Sequence, residues 1–489
     1  MRLEDEDLAA HLRGEGAGTE EAQRQARRGD AGAAARGASI WDGHGRSLRG
    51  SPARVKHAPR REVFVRPLRP FVLLALVALA SAPLAAQEPQ DSLAERVRRA
   101  EEAIELLRAQ LAEQAQSKVQ ARQRNTVEIS GLVLMNAYYN SGKTNNSDVP
   151  LHADTLVSTD RTGLPAANGG ATLRQTRVGV TVSGARALGA ALSGDLQMDF
   201  FGGQQPSVGG RTFPLLRIRT ASLRLDWSRL TLLVGQEKPV IAQQVPVSFA
   251  SAGVPLFARA GNLWLWVPQV RLTAHSVGRI RFGGDAAALA PMQYKAQGPF
   301  FTQPDSAERS RRPVVEGRAF VQWGEEDAES EIGVGGHLGW IATTGDSLLR
   351  SRAITADFRL ALGTKLSLAG SAFTGQALAG IGGGGIGQDL GTGGVPLRTR
   401  GGWVQLDVRP TFAWELGGGV GIDDPNDDDL EGSAGGYAGR LRNLVKAAHL
   451  MWRPGGGLLF GAEVRRIETT YSSAVERVTH VNVYAGLFF

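Results

Sequence analysis

The residue types that usually carry chemistry are scattered in this chain. His152, His275, His337, His449 and His480 fall in separate segments, and no two have a metal-ligand spacing. NSGKT (140–144) lacks the upstream glycine of a phosphate loop. GIGGGGIGQDLGTGG (380–394) is glycine-rich but follows no strand into a helix, so it reads as a loop. Nothing in the spacing favours pairing Ser183 or Ser193 with His480 as a hydrolase nucleophile and base. With no cysteine, thiolate metal sites, disulfides and a Cys nucleophile are excluded. No catalytic residue and no cofactor motif emerges. One acidic group, Asp423, Asp424, Asp427, Asp428 and Asp429 with Glu431, offers oxygen ligands to a divalent cation. It lacks the spacing and glycine turn of a known calcium loop, and a solvated acidic loop fits the same residues.

The charged residues of the C-terminal three quarters show a different regularity, a period of two. Asp195, Gln197 and Asp199 alternate with Leu196, Met198 and Phe200. Arg177, Gln269, Arg271, Arg281, Asp285, Glu316, Arg318, Gln322, Asp357 and Arg359 alternate with apolar neighbours in the same way. Such alternation places polar and apolar side chains on opposite faces of a strand. In LRIRTASLRLDW (216–227), Arg224 is out of phase with Arg217 and Arg219. Either Arg224 faces the polar side and the other two lie at a rim, or a bulge flips the register. The first reading is the simpler.

These residues need strands to position them. About sixteen strand-like runs are expected, near 127–139, 172–183, 188–200, 215–227, 229–236, 263–274, 279–290, 313–323, 330–342, 351–362, 365–376, 398–409, 411–422, 440–452, 457–469 and 478–489. Short and long connections alternate between them. GARA (184–187), HSVG (275–278), GEEDAE (324–329), GT (363–364) and RPGG (453–456) are short, whereas 140–171, 237–262 and 377–397 are long. A soluble sandwich has no reason to sort loop length by parity, but a transmembrane barrel does. The final run, HVNVYAGLFF, carries His480, Asn482 and Tyr484 on one face and Val481 to Phe489 on the other. The fold expected for 127–489 is an all-β transmembrane barrel of about sixteen antiparallel strands. Its polar face would turn inward, because charge facing lipid costs about 2–4 kcal/mol near the midplane.

Residues 1–62 lack hydrophobic periodicity and read as disordered or as an upstream extension. Residues 63–86 match a secretory signal: Arg61, Arg66 and Arg69 precede the apolar run Phe71–Ala80 and the small residues Ala85 and Ala86. The segment 87–126 is expected to be a periplasmic coiled-coil segment, helical over 91–123. Its a/d seam is Leu93, Val97, Ala100, Ile104, Leu107 and Leu111. The net charge of +7 divides into +4 over 1–86, zero over 87–126 and +3 over 127–489, so no basic stripe marks a nucleic-acid partner.

A signal peptide, a short coiled coil and a barrel ending in Phe together resemble the DcaP-like trimeric porins of Gram-negative outer membranes. The runs that carry the resemblance are VEISGLV (127–133), LRLDWSRLTLLVGQ (223–236), VPQVRL (267–272), PVVEGRAFVQWG (313–324), GGWVQLDV (401–408), GGGVGIDDP (417–425) and LRNLVKAAHLMWRP (441–454). The resemblance implies sixteen strands per subunit, a homotrimer and passive uptake of small, often anionic solutes. It implies an outer-membrane location among lipid and lipopolysaccharide. It also directs attention to the third long connection, expected to fold into the barrel. There Glu237, Lys238, Gln243, Gln244 and Arg259 would form a constriction, with Lys238 and Arg259 as anion contacts. The same polar residues can instead brace the wall as Arg–carboxylate pairs. A barrel-type hydrolase and a non-conducting anchor are the alternative readings of the chain. N-terminal sequencing of the exported protein is expected to begin at Ala86 or Gln87, and a start elsewhere would remove the assigned signal.

Overall fold

The computed structural model describes residues 118–120, 125–155, 165–203, 213–293, 303–325, 328–344, 347–432 and 439–489. Sixteen strands form a closed antiparallel barrel. In chain order they are β1 (Thr126–Asn140), β2 (Arg177–Ala187), β3 (Ala190–Asp199), β4 (Arg217–Asp226), β5 (Leu230–Glu237), β6 (Val267–His275), β7 (Ile280–Leu289) and β8 (Val314–Trp323). There follow β9 (Ser330–Ala342), β10 (Leu348–Leu362), β11 (Leu366–Gln376), β12 (Arg398–Val408), β13 (Trp414–Pro425), β14 (Arg442–Gly455), β15 (Leu458–Thr470) and β16 (Val475–Phe488). Each pairs with its chain neighbours, and β16 closes on β1 from His480↔Asn140 to Phe488↔Leu132. Phe489 exchanges backbone hydrogen bonds with Gly131, so the chain's last residue is stitched into the closure. Closure removes every sheet edge that lipid could not satisfy. No helix among the described residues is long and apolar enough to cross a membrane.

The alternation runs as the pattern requires. On β1 and β16, Val133, Met135, Val481 and Val483 are exposed, while Asn136, Asn140, His480 and Asn482 are fully buried. A water-soluble protein would invert this, so the outer surface is built for lipid. Outward Trp414, Trp452 and Phe460 stack with one another near the short-turn end of the barrel, at the level where interfacial aromatics gather.

Three local departures from the sequence reading have physical causes. The second expected strand, 172–183, is split. Asn168–Thr172 pairs with one half of β1 and β2 with the other, because Gln175 between them turns inward to hold a loop. In β4 the register shifts so that Met198 faces Ile218 while Gln197 faces Thr220. The bulge at Arg219 sends Arg217, Arg219 and Thr220 all inward, and Arg224 follows in phase with Thr220. The simpler expectation, which left Arg217 and Arg219 at the rim, is therefore corrected. Third, Lys118–Gln120, which fall within the helix expected over 91–123, form a short strand pairing with Thr126–Glu128. The seam Leu93, Val97, Ala100, Ile104, Leu107 and Leu111, the extension 1–62 and the signal 63–86 lie outside the described residues.

The barrel interior is packed by the connection between β5 and β6, residues 238–266. Among the described residues, five of the six buried apolar clusters contain its residues, so this loop is the core of the barrel. Leu256, Phe257 and Ala260 pack on Trp403 of β12, Val445 of β14, Ile467 of β15 and Val478 of β16. Ile241, Ala242 and Leu263 pack on Ala353, Phe373 and Leu378. The wall is thinned to receive the loop. A Cβ on Gly421 of β13 would stand 2.3 Å from the Ala260 carbonyl oxygen, so only glycine fits there. Phe257→Ala should destabilise the folded barrel by about 3–5 kcal/mol, the usual cost of deleting a buried aromatic ring. This is measurable as a lower urea midpoint of heat-modifiable gel mobility; an unchanged midpoint would show that the ring carries no packing energy.

Candidate functional site

The loop 238–266 circles the inner wall, and inward side chains bind its backbone. The Val240 N–H donates to Glu316 Oε2 on β8 at 2.7 Å. Gln405 of β12 brackets Val247, accepting its N–H at 2.8 Å and donating to its carbonyl at 2.9 Å. The Ser248 hydroxyl donates to Glu463 Oε2 of β15 at 2.6 Å. Asn136 of β1 donates to the Phe249 carbonyl. Gln175 does the same for Gly253 and Ala250, accepting at 2.9 Å and donating at 3.2 Å. The carbonyl of Ala252 accepts from Arg177 and, at 2.6 Å, from Arg219. Arg217 reaches the Gly253 carbonyl at 2.5 Å, and Asn443 of β14 reaches that of Arg259 at 2.8 Å.

Most residues expected to line the lumen are thus engaged in holding the loop or each other. Arg217 and Arg219 share Asp199 at 2.6 and 2.9 Å. Gln269 donates to the carbonyls of Glu237 and Lys238, and Arg271 to the latter as well. Arg318 forms a fork on Asp357 at 2.9 and 2.6 Å and also pairs with Glu331, which Gln244 of the loop approaches at 3.1 Å. Its guanidinium is nearly sealed from water, so this network fixes geometry in a low-dielectric setting. Asp195 accepts from Thr181 and Thr220, Asp285 accepts from Thr273, Arg224 pairs with Asp226, and Arg281 pairs with Glu329. Gln197 is exposed, in register with Gly179 and Thr220. Arg359, in phase with Asp357, is exposed and forms no ion pair among the described residues.

Below the loop lies a cavity of about 410 Å³. Lys238, Gln243, Gln244 and Val247 form its roof. Its walls carry Arg359, Gln405, Asp407 and Arg409, and its floor reaches Glu329 and Lys365 in the short turns. Lys238, Arg359, Lys365 and Arg409 outnumber Glu329 and Asp407, so the lining is net cationic. Arg259 is not part of it. It packs on Gly383 and Gly387 of the 377–397 loop and lies 3.4 Å from His152 Nδ1. Lys238 and Arg259 are therefore not brought together as a pair of anion contacts.

The acidic group is likewise divided. Asp423 is fully buried inside, taking the Gly385 and Ile386 N–H groups and the Thr399 hydroxyl. Asp424, on the outer face, pairs with Arg400, and Asp429 with Arg398. Asp427 and Asp428 border a separate groove of about 700 Å³ on the outer wall, beside Arg352, Arg398 and Arg400. The five carboxylates thus make no single cation site. Ser183, opposite Thr126, and His480, opposite Asn140, lie at opposite ends of β1, and Ser193 sits with Ser183 at the short-turn side, so no Ser–His pair forms. The inward residues Gln405, Asp407, Glu415, Glu463 and Asn136 were not singled out from the sequence. The alternation in GGWVQLDV (401–408) already contains the first two.

No known family matches the sequence, and no curated protein is significantly similar to it. Solved structures are. The outer membrane channel DcaP of Acinetobacter baumannii superposes with a TM-score of 0.59 at 14% identity, over 76% of this chain and 100% of that one. The anion-selective porin from Comamonas acidovorans gives 0.47 at 12% identity, over 75% and 100%. The first likeness establishes the fold, a barrel of the kind seen in outer-membrane channels.

His152, in the first long connection, offers a pH test of the loop contacts. Burial, with Arg440 and Arg259 alongside, pushes its imidazole from 6.5 down to about 2. Above pH 6.5 the ring is neutral whether the loop is docked or free, so docking is unaffected. Below it, only the free loop takes the proton, and docking weakens by up to about 1.4 kcal/mol per pH unit. Protease cleavage within 141–167 should rise between pH 6.5 and 5 and stay flat in His152→Gln; equal cleavage of both proteins would show that the ring does not set the lock.

Proposed function

We propose that this protein is an outer-membrane diffusion channel for small hydrophilic solutes, with a preference for small anions of the dicarboxylate type. The observation that carries this is the net cationic cavity under an inward-folded loop, in a closed barrel with an apolar exterior. Permeation is passive. The loop narrows the bore, and the wall charges it leaves free screen what remains. Lys238, Arg359 and Lys365 attract the solute, while Asp407 limits retention, so an ion entering the cavity can also leave. Lys238 Nζ donates to the Gln243 carbonyl at 3.1 Å, which holds the ammonium at the roof.

Two partners follow from the same reading. The heptad seam Leu93 to Leu111 supports a homotrimer. The outer groove with Arg352, Arg398 and Arg400 suits the phosphates of outer-leaflet lipopolysaccharide, with Asp427 and Asp428 beside it to share bridging cations.

Planar-bilayer recording tests the reading. The wild type should conduct in steps of three, with a reversal potential on the anion side under a salt gradient. Arg359→Glu and Lys238→Glu should each move that potential toward cation preference without loss of heat-modifiable folding. Membranes that stay closed would favour the anchor, and lipid hydrolysis would favour the enzyme.

A further inference from the structure

One inward cluster is not used by the loop contacts. Asp407 of β12, Glu415 of β13 and His449 of β14 bring two carboxylate oxygens and an imidazole nitrogen within 4.8 Å of one another. All three residues are more than nine-tenths buried. The register explains the convergence. Asp407 lies opposite Gly417, Gly417 lies opposite His449, and Glu415 precedes Gly417 by one same-face position. Gly417 leaves the space between them open. A Cβ there would stand 2.2 Å from Asp407 Oδ1 and 2.5 Å from His449 Nε2.

Two polar atoms aimed into that space have no hydrogen-bond partner, His449 Nε2 and Glu415 Oε1. His449 Nε2 is 3.5 Å from Asp407 Oδ1, at the limit for a direct bond. The other atoms of the site are committed in a way that orients these donors. Arg409 and Arg453 hold Glu415 Oε2 at 3.0 and 2.9 Å, leaving Oε1 to point inward. Gln405 donates to Asp407 Oδ1 at 3.1 Å. Buried polar atoms left unpaired cost about 1–3 kcal/mol each, which a ligand between them would recover.

We propose that Asp407, Glu415 and His449 form a binding site for one transition-series divalent cation, of which Zn²⁺ is the type, entered from the cavity below the loop. Asp407 lines that cavity, so the route is short. An imidazole with two carboxylates is a donor set for zinc and its neighbours, whereas Mg²⁺ prefers oxygen and retains its water. Zinc bonds of about 2.0–2.2 Å require donors roughly 3–3.5 Å apart, a closure of about an ångström from the present spacing. Arg409 and Arg453 oppose a cation here, and Glu463, opposite His449 but already paired with Arg465, offsets little of that. The site is therefore of micromolar rather than structural strength. A bound ion would tie β12, β13 and β14 together beside Gln405, where the wall grips Val247 of the loop.

Isothermal titration of the untagged, detergent-solubilised barrel with ZnCl₂ at pH 7.5 tests this. One ion per chain should bind with micromolar Kd, and millimolar MgCl₂ should not displace it. His449→Ala and Asp407→Asn should each weaken binding at least about tenfold while heat-modifiable mobility is kept. Zinc-edge absorption on the wild type gives a readout that needs no variant to fold, and should show one imidazole with oxygen donors. Binding weaker than millimolar, equal displacement by Mg²⁺, a folded variant that binds like wild type, or a shell of several imidazoles would each overturn the site.

Discussion

A backbone that leaves its strand and folds into a barrel lumen carries donors and acceptors that no ladder satisfies. Each must find a partner or forfeit free energy comparable to a lost hydrogen bond. In this chain the partners are side chains of the wall. Around the wall from β8 to β4, Glu316, Gln405, Asn443, Asn136, Gln175 and Arg219 take up the loop's amides and carbonyls. The inward polar face therefore does two jobs, facing the lumen and completing the hydrogen bonding of 238–266. The bulge at Arg219 and the break at Gln175 are consequences. Each distorts a strand so that one more side chain reaches the loop.

The apolar side follows from the same constraint. A barrel with lipid outside and polar residues inside has no hydrophobic core of its own. The loop supplies one, carrying Ile241, Leu256, Phe257 and Leu263 into the lumen against patches of the wall that are locally apolar or glycine. Phe257 and Arg259 adopt left-handed backbone conformations, uncommon outside glycine, with φ of 63° and 62°. That cost is sustained because Phe257 is sandwiched against Trp403 and because the Arg259 carbonyl is held by Asn443.

The barrel was legible in the sequence because its two signals are local and repeated. Alternation marks each strand, and loop parity marks the side on which it turns; the ninth expected run, 330–342, coincides with β9. What could not be read is set by single long-range partners. The parity mismatch in LRIRTASLRLDW admits a bulge, but no feature of it announces that two arginines will converge on Asp199, the contact that decides between bulge and rim. Asp423 and Asp424 look equivalent as neighbours, yet the pleat sends one into the lumen and the other outward. His449, isolated in sequence, meets Asp407 and Glu415 only through the register of three strands. Contacts between strands adjacent in space but tens of residues apart leave no spacing to detect.

The same division bears on permeation. Counting inward charges along the strands gives both signs and suggests a balanced lumen. Much of that charge is neutralised by its neighbours: Arg318 by Asp357 and Glu331, Arg217 and Arg219 by Asp199, Arg465 by Glu463. Charges paired this closely project little field beyond a few ångströms, because each pair presents a dipole and not a net charge. What a solute meets in the cavity is the remainder, Arg359 and Lys365 foremost, against the wall carboxylate of Asp407. On the channel reading, selectivity is therefore set by the side chains that bracing the loop leaves over. A substitution in the paired set would act first on how the loop sits, and on the solute only through the bore that the loop defines.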